Sequence, residues 1–466
     1  VSARGPSSPS RRTALRLGAG ATALVGTAAL AGDDGTWHAH LPLISQTVAL
    51  AAPGEQALVR PDVDAVIPGT RIIDGADDLE QLLADEAAVR SAAGAALSVR
   101  SAAAGPTSVD AASTDSASAS TPADAVPAGA LTASEGTADL LTSAALDLHV
   151  LSVGLAAPVA SWAPNWRYVW PRDSAHVAVA LARFGLVGRA SGIVRELARL
   201  CGAGEDAGWF EARYRPGSHR APDARERQLD GSGWFLWALD EVAALDPTLL
   251  DDADVLDAAS RTARLLVEIT RGGAALPPAS PDYWERPETS PTIATCALVA
   301  AGLERAVGVV PEAALADAAA SAADALRDRI AEAFAATGYG RYPGRVGADA
   351  GMLFLLPPYA RSVDDDVARH VEAARTAAAR PAGGVAPGAL WRRDGVSWTP
   401  QTAMFAQTRA ALGDAEGAAA LLRWLRAHRT AAGSLPEKVL ADGAPASVAP
   451  LAWTAALVVG AVLGAG

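Results

Sequence analysis

From about residue 131 to the end, apolar residues return every three to four positions, the spacing that lays them on one face of an α-helix. This pattern predicts helices near 138–150, 174–184, 188–201, 232–245, 251–270, 291–307, 311–336, 348–355, 364–379, 400–412, 415–428 and 447–463. Loops holding Gly, Pro and Trp separate them, and almost no alternating strand pattern lies between. Paired helices on this scale close into a toroid or stack into an open solenoid. The absence of a fixed sequence period favours the toroid.

The texture ahead of residue 131 is different. Residues 32–100 read as a small N-terminal region of short mixed elements, punctuated by Val59-Arg60-Pro61 and Val66-Ile67-Pro68-Gly69, with helix expected over 79–99. Residues 101–130 are mostly Ala, Ser, Thr, Asp, Gly and Pro. Too few large apolar side chains stand there to offset chain entropy, so a flexible linker is expected. Residues 1–31 join Arg11-Arg12 to an apolar run ending in Ala29-Leu30-Ala31, the form of a cleavable signal peptide. The paired arginines suggest the twin-arginine export machinery as a partner and an exported protein, secreted or envelope-associated.

Composition narrows the partners. Half of the 466 residues are apolar, enough for a large core. A formal net charge of −13 repels nucleic-acid phosphates and suits a neutral ligand. Cys201 and Cys296 sit in apolar segments without metal-ligand spacing and read as buried thiols. No D-x-D-x-D-G loop announces Ca2+, and neither metal nor cofactor is implied. The apolar stretch 447–463 is short for a membrane span and holds Trp453 and Thr454.

Of the 12 tryptophans, only Trp37 precedes residue 162. Trp162, Trp166, Trp170, Trp209, Trp284, Trp391 and Trp398 fall in loops or at helix starts, where their faces suit sugar rings. Trp234, Trp237, Trp424 and Trp453 lie inside helical patterns and read as packing. Four segments carry candidate chemistry. In Trp170-Pro171-Arg172-Asp173-Ser174 a forked donor adjoins an acceptor, fit for vicinal hydroxyls, although Asp173-Ser174 also suits a helix N-cap. Gln228-Leu229-Asp230-Gly231 brings two hydrogen-bonding side chains to another helix start. In Pro281-Asp282-Tyr283-Trp284-Glu285, aromatic neighbours can desolvate a glutamate and raise its pKa, as a general acid requires. Glu288 is close enough to compete for that role. Gly433-Ser434-Leu435-Pro436-Glu437-Lys438 sets the chain's one lysine beside a glutamate, as a general base requires.

Taken in order, the W-x-R-D, Q-x-D-G, W-E and P-E segments resemble the glucoamylase family of glycoside hydrolases (family 15), in its bacterial branch, over roughly residues 140–466. The resemblance implies an all-α (α/α)6 barrel behind a short N-terminal export and linker region, with residues 131–466 as the catalytic domain. It implies inverting, exo-acting hydrolysis of an α-glucoside. Glu285 would then be the acid and Glu437 the base, some 6.5–9.5 Å apart. It also implies sugar contacts from Trp170, Arg172, Asp173, Gln228, Asp230, Trp284 and an arginine of the Arg392-Arg393 pair, for which Arg393 is preferred. Where family members often carry a second acid after the W-E glutamate, this chain has Arg286-Pro287. Two other readings remain: a toroid phosphorylase or lyase, and a non-catalytic exported carbohydrate-binding protein on a degenerate hydrolase scaffold. The discriminator is whether Glu285 and Glu437 face one another.

Overall fold

A computed structural model describes residues 41–60, 66–103 and 134–464, and the backbone of 29–31 and 37–39. The expected linker, from residue 104, and the expected signal, apart from its last three residues, lie outside the described residues. Those three form strand β1 (Ala29–Ala31), antiparallel to β2 (Trp37–Ala39).

The chain then forms a hairpin, β3 (Thr47–Ala52) with β4 (Glu55–Val59), and a long helix α1 (Leu79–Ala103). Helix α1 continues through Ser101, Ala102 and Ala103, which the composition had placed in the linker. Val48, Leu50, Ile72, Leu82, Val89 and Ala93 are buried in one core with the helices that follow.

Those helices make six hairpins. The outer members are α2 (Glu135–Ser152), α4 (Val187–Leu200), α6 (Ala253–Ile269), α8 (Ala313–Phe334), the broken pair α9 (Asp365–Ala368) and α10 (Val371–Ala377), and α12 (Ala415–Ala427). The inner members are α3 (Pro171–Arg183), α5 (Asp230–Ala243), α7 (Ile293–Ala306), a 3-10 turn (Ala350–Leu355), α11 (Thr399–Ala411) and α13 (Ala452–Leu463). Each inner element touches the next, and α13 returns to α3, so the ring closes. The fold is the (α/α)6 toroid that the helix pattern predicts.

Burial separates the rings. All of α13 is buried, whereas α12 buries Ala415, Ala418, Leu421, Leu422 and Leu425, the one-sided stripe of an amphipathic helix. Each buried Leu or Val contributes about 1.5–3 kcal/mol, so the apolar inner ring is the principal source of stability. The 447–463 stretch is thus barrel core from residue 452 onward. Among the described residues no helix is long and apolar enough to cross a membrane.

Two predicted helices depart from plan. Residues 350–355 form a 3-10 turn, not an α-helix, packed so closely on α7 that a side chain at Gly351 would strike Ala294, and Pro357-Pro358 follows it. The 364–379 helix is interrupted between Ala368 and Val371.

Because hairpins alternate direction, every inner element starts at the same mouth of the toroid. The loops entering them hold all four chemistry-bearing segments. The fold has brought together what the sequence spreads over 270 residues, from Asn165 onward.

Candidate active site

Helix α3 starts one turn earlier than expected: Trp170 is its N-cap and Pro171 takes the first helical position, where a missing N–H costs nothing. Asp173 therefore does not cap; it sits in the first turn, fully buried. Asp230 likewise starts α5 behind Leu229 and makes no capping bond. Two carboxyls at helix starts are thus left for other work.

Arg172 links the parts. Its Nη2 lies 2.9 Å from Asp173 Oδ2, its Nη1 donates to Glu285 Oε1 at 3.2 Å, and its guanidinium lies 4.3 Å from the Trp453 ring centre. Burial raises the Asp173 pKa against the pull of Arg172. Burial pushes Asp230 up to about 8, with Arg172 opposing and the charges of Asp282 and Glu285 assisting. Trp234 lies one turn on, yet neither its Nε1 nor Asp230 Oδ2 has a hydrogen-bond partner.

Glu285 stands in the left-handed region at φ 54°, uncommon for a residue with a Cβ. What holds it there is anchored beneath. Buried Asp282 accepts from the Trp284 amide, Thr292 Oγ1 and Arg341 Nη2 at 2.9, 2.7 and 3.0 Å. The Tyr283 hydroxyl donates to Asp349 Oδ1 at 2.6 Å. The Arg341 guanidinium lies 3.7 Å from the Trp284 ring centre. The Glu285 carboxylate, 25% exposed, receives Arg172 on one oxygen and Arg225 Nη1 and Gln228 Nε2, each at 3.1 Å, on the other. Its surroundings are donors, not the apolar pocket expected from the flanking aromatics. Glu288 is spoken for by Arg341 Nη2 at 2.6 Å and the Tyr342 hydroxyl at 2.8 Å, which removes it as a rival.

Glu437 precedes strand β6 (Lys438–Val439), the middle of a three-stranded sheet with β5 (Ser397–Trp398) and β7 (Pro445–Ala446). Its backbone is fixed on both sides, with its N–H donating to Val448 O at 2.8 Å and its carbonyl accepting from the Thr399 N–H at 3.1 Å. Trp166 Nε1 donates to Oε1 at 3.3 Å, while Ser447 Oγ and Lys438 Nζ approach Oε2 at 2.5 and 3.1 Å.

An aromatic wall joins the two glutamates. Trp284, beside Glu285, packs edge-on against Trp391 with ring centres 4.8 Å apart. Trp391 packs edge-on against Trp398 at 5.3 Å. Lys438, beside Glu437, lies 4.3 Å from the Trp398 ring centre. The Nε1 atoms of Trp284, Trp391 and Trp398 all lack hydrogen-bond partners. The side chains of Arg172, Glu285, Glu437 and Lys438 are 12, 25, 12 and 15% exposed, the grading of a recess rather than of a core or an open surface.

The structure therefore brings Arg172, Asp173, Gln228, Trp284 and Glu285 into direct contact, with Asp230 within electrostatic reach of Arg172, and ties Glu437 to them through the wall. Trp170 is buried against Tyr168, with the Arg213 guanidinium 5.1 Å from its ring centre. Arg393 is exposed and, among the described residues, has no part in these contacts. Pattern reading missed Arg225, Arg341, Ser447 and the site-facing contact of Trp453. Trp453 is in the first turn of an inner helix, a position that helix spacing alone marks as core. Arg225 is one of several arginines in a polar loop, and nothing local distinguishes it.

Among the described residues, Cys201 and Cys296 are buried free thiols, and no cluster of His, Cys, Asp or Glu is arranged to hold a metal ion. No family model matches the chain, and no curated protein matches it in sequence. Solved structures do match in fold. A wild-type glycosidase aligns with a TM-score of 0.56 at 21% identity, over 71% of this chain and 98% of that one. A bacterial glucoamylase complexed with acarbose aligns at 0.54 and 18% identity, over 70% of this chain and 55% of that one. The glucoamylase of Saccharomycopsis fibuligera aligns at 0.52 and 15% identity, over 66% and 88%. At such identities the likeness shows the fold, and chemistry has to be argued from the side chains.

Proposed function

We propose that this chain is an inverting, exo-acting glycoside hydrolase that releases β-glucose from α-gluco-oligosaccharides or a related α-glucoside. The observation that carries the reading is the tryptophan wall running from the neighbour of Glu285 to the neighbour of Glu437. A wall of that kind gives a sugar ring an apolar face to lie on, with a carboxyl at each end.

In this scheme Glu285 protonates the departing glycosidic oxygen. Glu437 takes a proton from a water that attacks the anomeric carbon from the opposite face. The glycosidic C–O bond breaks as the new C–O bond forms, so the anomeric configuration inverts, and the glucose leaves as the β-hemiacetal while the leaving sugar departs as an alcohol. Arg172, Arg225 and Gln228 hold the Glu285 carboxyl in place, and a bound sugar's hydroxyls compete for Arg172. Lys438, Ser447 and Trp166 leave Glu437 oriented to accept. Arg172 and Asp173 offer a donor fork beside an acceptor to vicinal hydroxyls of the terminal sugar. The similar glycosidase structures support a carbohydrate ligand: one is a glutamate-to-alanine variant in complex with glucose.

Arg11-Arg12 and the apolar run behind them support export by the twin-arginine route. The test of the reading is to incubate the protein with α-linked gluco-oligosaccharides and trehalose and follow the released sugar by proton NMR. β-Glucose appearing first and then mutarotating is the expected result. From the oligosaccharides, α-glucose released from the non-reducing end would mean retention, whereas trehalose gives one α- and one β-glucose on inversion and α-glucose alone on retention. Binding of every sugar without turnover would favour the non-catalytic reading.

A further inference from the structure

The N-terminal region does more than pad the barrel. Arg71 and Asp147 form an ion pair with side chains 2% and 0% exposed, Arg71 Nε lying 2.7 Å from Asp147 Oδ1. A buried pair is a weak stabiliser, because desolvation offsets much of the attraction and well-packed apolar residues often serve as well. What apolar residues cannot supply is direction, and here, besides Arg71 bonds to Thr70 O and Ser143 Oγ, the pair reaches one segment of chain. Arg71 Nη1 donates to Ala432 O at 3.0 Å. Asp147 accepts from Ser434 Oγ at 2.7 Å and from the Leu435 N–H at 3.1 Å. The Ser434 hydroxyl also meets that of Thr47, 2.6 Å away. These are the residues that lead directly into Pro436-Glu437.

The other flank of Glu437 is held from the same side. Ile44 N–H donates to Ser447 O at 2.7 Å, and Ser447 N–H donates to Pro42 O at 3.1 Å. Ser45 Oγ donates to Ala449 O at 2.8 Å and accepts from the Ala449 N–H at 3.1 Å. The stretch 447–449 carries both the hydroxyl that meets Glu437 Oε2 and the carbonyl of Val448 that receives its N–H.

We infer that residues 42–47 and Arg71, acting with Asp147, position Glu437 by clamping the chain on both sides of it. The inference rests on the reading of Glu437 as the base. On that reading the catalytic unit begins near residue 42, and the base of a helical toroid is set by residues of which only Asp147 belongs to its helices. These are positioning residues, since none touches the Glu437 carboxylate.

The test uses two variants of the full chain, Arg71→Lys, which keeps the charge but loses the fork, and Thr47→Val, which removes one hydroxyl at nearly constant shape. A carboxylate misplaced by about 1 Å costs catalysis on the order of 10²-fold. Arg71→Lys is therefore expected to lower kcat by about that factor, with KM within about two-fold of the parent and the acidic limb of the kcat–pH profile displaced. Thr47→Val is expected to lower kcat about three- to ten-fold, and it carries the test if Arg71→Lys fails to fold. Crystal structures of the variants should show the Glu437 carboxylate moved by more than about 0.5 Å relative to Trp166 and Ser447. Lower thermal stability with kcat, pH profile and the Glu437 position all unchanged would overturn the inference. Should the parent turn over no α-glucoside, the hydrolase reading fails, and the position of Glu437 in the variants still decides the clamp.

Discussion

Glu285 and Glu437 are the same chemical group in two unlike settings. Glu285 sits on a loop in a left-handed conformation, its N–H donating to the Asp282 carbonyl and its carboxylate held by Arg172, Arg225 and Gln228, of which Arg225 is 42% exposed. Glu437 immediately precedes a sheet strand with its N–H and carbonyl both bonded, its carboxylate against an indole, a hydroxyl and an ammonium, and the N-terminal region clamped behind it. The contrast fits a division of labour. An acid has to exchange a proton with the leaving group and with solvent in every cycle, so exposure and replaceable partners serve it. A base has to hold one water in line with a reacting carbon, so rigidity serves it.

The comparison can be broken most directly at the glutamates. Glu285→Gln and Glu437→Gln should each lower kcat on an α-gluco-oligosaccharide by about 10³-fold. On an aryl α-glucoside whose leaving group needs no proton, Glu285→Gln should recover much of its rate and Glu437→Gln should not. Equal recovery, or none in either variant, would erase the division of roles. Next in size is Arg172→Met, which removes the one group in contact with Asp173, Glu285 and Trp453; kcat/KM should fall about 10²-fold. Finer still is the comparison of Lys438→Met with Arg225→Met. An exposed ion pair contributes little and a half-buried one more, so the lysine change should cost about ten-fold in kcat and the arginine change less than about three-fold. A reversed order would show the exposed side of the site to be the more demanding one.

The smallest effect is a pH dependence of stability. Burial holds the Asp230 pKa at about 8, above its value of 3.8 in an unfolded chain. Between those values the folded chain binds more protons than the unfolded one. The contribution of Asp230 is thus fully present below pH 3.8 and is lost as pH rises through about 8. Asp230→Asn has no proton to lose, so its melting temperature relative to the parent should climb from pH 4 to pH 8. A constant difference across that range would mean that Asp230 is ionised in the fold.

Much of this could be read from the chain because helices advertise themselves by period. All six hairpins were visible, and the four chemistry-bearing segments fell into loops at one mouth because hairpins alternate. What stayed hidden depended on distance in sequence rather than on pattern. Asp173, proposed from the sequence for sugar hydroxyls, could equally be read as a cap until Pro171 moved the start of α3 back by a turn. Trp453 read as core, and it is core at 3% exposure, but helix spacing cannot say that it also lies against Arg172. Arg393, preferred over Arg392, stands exposed, while Arg341 packs against Trp284 from a loop no motif marked. Arg71 and Asp147 are 76 positions apart, and nothing in either neighbourhood announces the other.

The central claim is that one sugar lies along the tryptophan wall with a carboxyl at each end. Its most direct measurement is a crystal structure of the protein soaked in glucose or an α-linked disaccharide. The account predicts the terminal ring against Trp284, Trp391 and Trp398, its hydroxyls on Arg172 and Asp173, and the Glu285 and Glu437 carboxyls about 6.5–9.5 Å apart. A sugar bound elsewhere, or carboxyls only about 5–5.5 Å apart, would contradict it.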